Sequence, residues 1–305
     1  MSARHGKILS NLKRLGAPLV LINMVMLTFV HFDCSGKYGF VEYYAGDAAV
    51  TKAQQARGIE AQALDIRYDD VGQDMTSDHG FINALACALN IIPGGGSHWG
   101  TVCSSWIFMS SGTTKRSKLA PMGDRNCQSV RMGNLMVSRM VLILLVVQAV
   151  GAAWFLEQPL TSLMMHHVRM QWLARKVAIF ELRPNMCDFG HATKKPTELW
   201  SNKPEVVEIK KYATPAKKPK KVVKLVDQYV DKNGRKRVTG GKLLKGSQSY
   251  PKGFGEAMAS LMATNSSLFK RQGSKPVRDM GPPAGDAWKD AELDGPMKLL
   301  VLAKF

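Results

Sequence analysis

The chain has 305 residues, 45% of them apolar, and a formal charge of +18. That length and apolar content allow a buried core and argue against wholesale disorder. The five cysteines (Cys34, Cys87, Cys103, Cys127, Cys187) include no Cys-x-x-Cys pair. This argues against a disulfide framework or a zinc site, so no metal is expected and a reducing compartment is the default.

Residues 1–37 begin with Arg4, His5, Lys7, Lys13 and Arg14, followed by the apolar run Ala17 to Phe32. The run is shorter than the roughly 20 residues of a bilayer span. A targeting segment, a buried packing helix and a plain extension all fit it. Membrane contact is expected, if anywhere, through this segment.

Residues 38–212 alternate between strand-like and helix-like patterns. Phe40 to Tyr44 is a short aromatic and β-branched run. Ala48 to Arg57 is helical and closed by Gly58. Ile59 to Ile66 is a second strand, and Asp78 to Asn90 a helix with Asp78 as N-cap and Pro93-Gly94-Gly95-Gly96 as its stop. His98 to Trp106 is expected to be the third strand, and Ser111 to Asn126 a long polar loop of the kind that is often functional. Met140 to Leu156 is apolar enough for a membrane, but Gln148 and Gly151 divide it. Ser129 to Val150 therefore reads as a core helix and Ala152 to Glu157 as a core strand. Thr161 to Lys176 (helix) and Val177 to Leu182 (strand) complete an α/β domain, a mostly parallel sheet with helices on both faces.

Residues 213–262 carry a Pro/Lys linker (Thr214 to Lys221), a basic hairpin from Leu225 to Lys245 turning at Asp231-Lys232-Asn233-Gly234, and a short helix, Phe254 to Met262. Residues 263–305, rich in Gly, Pro and Ser, are expected to be disordered. Between Lys203 and Lys252 there are 15 Lys/Arg against 4 Asp/Glu. Such a block suits a polyanion, nucleic acid above all, or serves as a solvated arm.

Ligands in open α/β sheets gather at the carboxyl ends of the strands, so the strand-end residues matter most. Tyr44 and Gly46 lie in a small-residue turn where backbone can approach a ligand, though one glycine is more often just a turn. Asp65 can accept from ribose hydroxyls and Asp74 from an adenine amine; loop capping is the plain alternative for both. Cys103 stands where a nucleophile would, with Lys115 and Arg116 as cations to lower its pKa, but a buried cysteine is equally ordinary. Glu157 ends a very apolar strand, where burial would raise its pKa and let it donate a proton.

In this order the residues resemble the C5-cytosine DNA methyltransferases of the S-adenosylmethionine-dependent superfamily. Glu42-Tyr43-Tyr44-Ala45-Gly46-Asp47-Ala48-Ala49 echoes their Asp-x-Phe-x-Gly-x-Gly-Gly motif, Val102-Cys103-Ser104 their Pro-Cys-Gln, and Glu157-Gln158-Pro159 their Glu-Asn-Val. Lys195-Pro196-Thr197 is similar to the segment that closes the catalytic domain, and Tyr250 to Met262 to the one packing back beside the cofactor. The resemblance implies a Rossmann-like fold with S-adenosylmethionine held by Tyr44, Gly46, Asp65 and Asp74. Cys103 would attack C6 of a flipped cytosine while Glu157 contacts N3. Val102 and Ser104 depart from the motif, Arg-x-Arg is missing with Lys194 and Lys195 its nearest substitutes, and no target-recognition domain of the usual size follows. The implied function is methyl transfer to cytosine C5 in nucleic acid, DNA by preference, or a lapsed relative of such an enzyme. The alternative is a non-catalytic nucleic-acid-binding protein that keeps the fold. The basic block suits a nucleus, the apolar start an organelle.

Overall fold

The computed structural model describes residues 2–213, 226–234, 236–240, 248–265 and 287–288. Six strands form one mixed sheet in the order β2-β1-β3-β4-β6-β5. They are β1 (Tyr38–Tyr43), β2 (Ala61–Leu64), β3 (Ile91–Trp99), β4 (Ala153–Pro159), β5 (Phe180–Leu182) and β6 (Thr197–Ser201). The first four run parallel, while β6 is antiparallel to both β4 and β5. The protein is thus α/β with a mostly parallel sheet.

Alternation along each strand feeds two cores, one per face. Val41, Tyr43, Trp154 and Leu156 enter one core, and Phe40, Ala153 and Phe155 the other. The first core is covered by α1 (Ala3–Leu15), α2 (Leu19–His31), α4 (Asp78–Leu89), α6 (Gln128–Val150) and α7 (Val168–Lys176). The opposite face packs α3 (Ala49–Gln55), a 3-10 stretch (Pro204–Tyr212) and the last described helix, α8 (Lys252–Asn265). A one-turn helix, α5 (Ser111–Thr114), interrupts the long loop. Of the described helices α6 is long and apolar enough to cross a membrane. It is instead the buried centre of the first core, stopped by Gly151 at φ 87. Residues 3–31 also lie in that core, through Ile8, Leu12, Leu21 and Val25.

Several sequence expectations shift. The cap of α4 is Ser77, whose hydroxyl accepts from the Gly80 N–H; Asp78 instead takes the buried Arg139 guanidinium at 2.6 Å. The glycine run that should stop this helix lies inside β3, and β3 ends at Trp99, so Cys103 sits in the following loop. Helix α7 starts only at Val168, because His167 is extended and caps it by accepting from the Arg169 N–H. Strand β6, inserted between β4 and β5, was not anticipated. The basic hairpin is present as β7 (Val226–Val230) and β8 (Lys236–Gly240). The Thr214 to Lys221 linker and nearly all of the tail expected to be disordered lie outside the described residues.

Helix α8 is held on α3 by backbone contact: a Cβ at Gly255 would lie 2.2 Å from the Ala49 carbonyl oxygen. Arg57 adds a bond to Ser260 at 2.7 Å. Gly255→Ala should therefore destabilise the protein by about 1–3 kcal/mol, read as a lower urea midpoint. An unchanged midpoint would mean that α8 is not packed this way.

Candidate functional site at the carboxyl rim of the sheet

From β1 the chain goes outward to β2, then crosses back to place β3 on the other side of β1. That reversal opens a crevice between the carboxyl ends of β1 and β3, the usual ligand position in such sheets. Register puts Tyr44, Gly100 and Glu157 level on adjacent strands, each one residue beyond the paired Tyr43, Trp99 and Leu156.

Glu157 is 5% exposed. Burial of a carboxylate is costly unless its oxygens are compensated. Here the Tyr250 hydroxyl donates to Oε2 at 2.7 Å and Lys195 Nζ lies 3.7 Å from Oε1. Lys195 also stands 5.2 Å from the Tyr250 ring and has φ 36, a strained backbone for a side-chain-bearing residue. Tyr250 fills the crevice: a side chain at Gly100 would meet its hydroxyl at 2.9 Å and the Tyr44 carbonyl at 3.0 Å.

Cys103, half-buried, belongs to the same cluster. Its thiol is pushed up to about 11, first by burial and then by the Glu157 charge, against the opposing pull of Lys195. Thus Cys103 and Glu157 share one rim, as the sequence reading requires. The cation beside the thiol, however, is Lys195 and not Arg116. The Arg116 guanidinium lies 3.5 Å from the Trp106 ring centre and donates to Asn134 Oδ1 at 2.9 Å and the Val130 carbonyl at 3.2 Å. Those bonds tie the long loop to α6. Lys115 is exposed. Gln158 clamps the Cys103 loop: its amide donates to the Thr101 carbonyl at 2.6 Å and its oxygen accepts from Ser162 at 3.0 Å.

The turn after β1 has left-handed backbone at Tyr44, Gly46 and Ala48, with φ of 54, 58 and 55. Two of these are not glycine, and strain of this kind persists mainly at ligand-binding turns. The Tyr44 hydroxyl is buried without a hydrogen-bond partner, and burial raises its pKa. Asp65 accepts from the Gly46 N–H at 2.7 Å and from the Arg67 N–H at 2.9 Å, so it clamps the turn. Asp74 accepts from the Thr76 N–H and hydroxyl at 2.8 and 2.7 Å, an Asx turn ahead of α4. Both carboxylates thus make the capping bonds that were the plain alternative.

Beneath Tyr250 lies a pair whose role the sequence reading missed. Glu42 and His98 are fully buried, with Glu42 Oε1 3.9 Å from His98 Nδ1. Thr51 donates twice to Glu42 Oε2, from its N–H and its hydroxyl, each at 2.7 Å. Burial raises Glu42 to about 7, opposed by the Thr51 bonds. Burial, with Lys195 assisting, lowers His98 to about 3. The rings of Tyr250 and Phe254 close over His98 at 5.0 and 5.6 Å.

No protein-family model, curated protein or solved structure matches this chain. A cavity of about 250 Å³ lined by Asn11, Arg14, Gln148, Lys176 and Asn202 lies at the amino ends of β4 and β5, away from the thiol–acid cluster. Among the described residues, no three His, Cys, Asp or Glu side chains gather in a way that could hold a metal ion.

Two measurements follow. Replacing the Glu157 charge in Glu157→Gln should make Cys103 react with iodoacetamide about three- to tenfold faster at pH 8, with half-buried Cys127 as internal reference. An unchanged rate would separate the two side chains. For Glu42, a raised folded pKa means added stability that is complete below pH 4.5 and lost as pH rises through about 7. His98 acts in the opposite sense, costing stability as pH falls from 6.5 towards 3. The difference in unfolding free energy between wild type and Glu42→Gln should shrink by something on the order of 3 kcal/mol from pH 4.5 to 7.5; a pH-independent difference would contradict the buried, protonated Glu42.

Proposed function

We propose that this chain is a Rossmann-like methyltransferase-fold protein that methylates cytosine C5 in nucleic acid, or a lapsed relative of such an enzyme. One observation carries the reading: a thiol from the loop after β3 and a buried carboxyl from the end of β4 share a cation at the rim beside the β1–β3 crevice. A nucleophile for C6 and an acid for the N3 edge are what the chemistry needs there.

The residues also fit the implied cofactor in one respect. The strained turn Tyr44 to Ala48 lies beside the crevice, and the buried Tyr44 hydroxyl lacks a hydrogen-bond partner that a ligand would supply. Arg67, more than half exposed, can release Asp65 for a ribose without disturbing the core. S-adenosylmethionine, when bound, supplies an electrophilic methyl group. The protein's own part is proton placement. Moving the Cys103 proton to Glu157 yields a thiolate and the neutral acid that can donate to N3. It also removes the negative charge opposing the thiolate and leaves Lys195 to stabilise it. The thiolate adds to C6, C5 becomes nucleophilic, and loss of the C5 proton after methylation expels the sulfur.

The basic residues between Lys203 and Lys252 supply phosphate contact, DNA being the favoured polyanion. A second reading, a non-catalytic nucleic-acid-binding protein, draws support from the Tyr250 plug and the raised Cys103 thiol. DNA containing 5-fluorocytosine separates the two, because fluorine at C5 cannot leave as a proton does and the C6–sulfur adduct persists. The adduct should form with wild type and vanish in Cys103→Ser, while Glu157→Gln should slow methyl transfer by about 10²- to 10⁴-fold. Methyl transfer that survives Cys103→Ser would end the cytosine mechanism. Nucleic-acid binding without cofactor binding in calorimetry would favour the second reading.

A further inference from the structure

The first acidic residue of the chain is Asp33; residues 1–32 carry Arg4, Lys7, Lys13 and Arg14 with no carboxylate among them. Those residues build the α1–α2 hairpin. Its inner side is conventional: Ile8, Leu9 and Leu12 of α1 and Leu21, Met24 and Val25 of α2 are buried in the first core. Its outer side is not. On α2, Leu19 is 71%, Met26 48% and Val30 75% exposed, and Phe32 just beyond is 46% exposed. The first three recur at helical spacing and so form one stripe. On α1, Lys7 and Lys13 are exposed, and neither is paired with an acid among the described residues, while Arg14 lines the cavity beside Gln148 and Lys176. Since α1 rests on α6 and α2 on α4, and α4 and α6 pack together on one face of the sheet, the outer sides of the hairpin face away from the molecule together.

We infer that this hairpin docks the protein on an anionic lipid surface, the apolar stripe of α2 entering the acyl boundary while the α1 cations meet headgroup phosphates. An apolar stripe beside basic residues is the composition of an interfacial helix. At 13 residues, with half its surface in the core, α2 lies on a bilayer and does not span it. A second copy of the chain is the poorer occupant, because face-to-face hairpins would bring like charges together. Nucleic acid has no use for the stripe.

The test is co-sedimentation of the full chain with vesicles of phosphatidylcholine alone or with one-third phosphatidylserine. Wild type should pellet with the anionic vesicles and stay in solution with neutral ones. The double variant Leu19→Glu, Val30→Glu changes only exposed positions and should abolish pelleting; Lys7→Glu, Lys13→Glu should weaken it by about tenfold or more. Pelleting that survives the α2 variant but disappears when the lysines and arginines between Lys217 and Lys245 are changed to glutamine would assign lipid binding to the basic block and overturn the inference. So would a dimer, seen by analytical ultracentrifugation without vesicle binding, that the α2 variant dissociates.

Discussion

A carboxylate at the end of an apolar strand has to be neutralised or bonded, and at Glu157 that requirement brings together parts of the chain that are remote in sequence. Its two oxygens draw on Tyr250, just before α8, and on Lys195, in the segment leading into β6. The same charge raises the Cys103 thiol in the loop after β3. One buried acid therefore sets the position of a hydroxyl, a cation and a thiol.

The layer beneath obeys the same logic with a different solution. Glu42 and His98, in the interiors of β1 and β3, are buried beyond reach of solvent, and both are driven towards their neutral forms. A neutral pair costs the sheet less than two ions would. The aromatic lid of Tyr250 and Phe254 keeps it dry. Charge is retained at the rim and removed below it, and the boundary between the two is the ring of Tyr250.

Much of this was legible in the sequence, for definite reasons. The apolar runs at β1, β2 and β4 and the long α6 carried strong periodicity, and the order Tyr44, Asp65, Cys103, Glu157 followed the strand ends closely enough to bring thiol and acid to one rim. The glycine run misled because it reads as a turn; in fact the Gly39 carbonyl approaches Gly95, and Met262 and Phe40 press on Gly96, leaving no room for side chains within β3. Strand β6 was hidden because Thr197, Glu198 and Ser201 are polar yet buried, with Glu198 paired to Arg183 at 3.1 Å. Glu42 and His98 gave no signal, since neither burial nor their mutual approach across neighbouring strands is visible along the chain. Arg116 was nearer to Cys103 in sequence than Lys195, but its guanidinium belongs to Trp106 and α6.

The dependence of the rim on α8 has a consequence for biosynthesis. All six strands of the main sheet precede residue 202, whereas Tyr250 and the helix that seats it come much later. A nascent chain can thus close its sheet while the crevice still stands open and Glu157 is still hydrated. Drying of that acid, and with it the tuning of the neighbouring sulfur, must therefore wait until Tyr250 and α8 have left the ribosome.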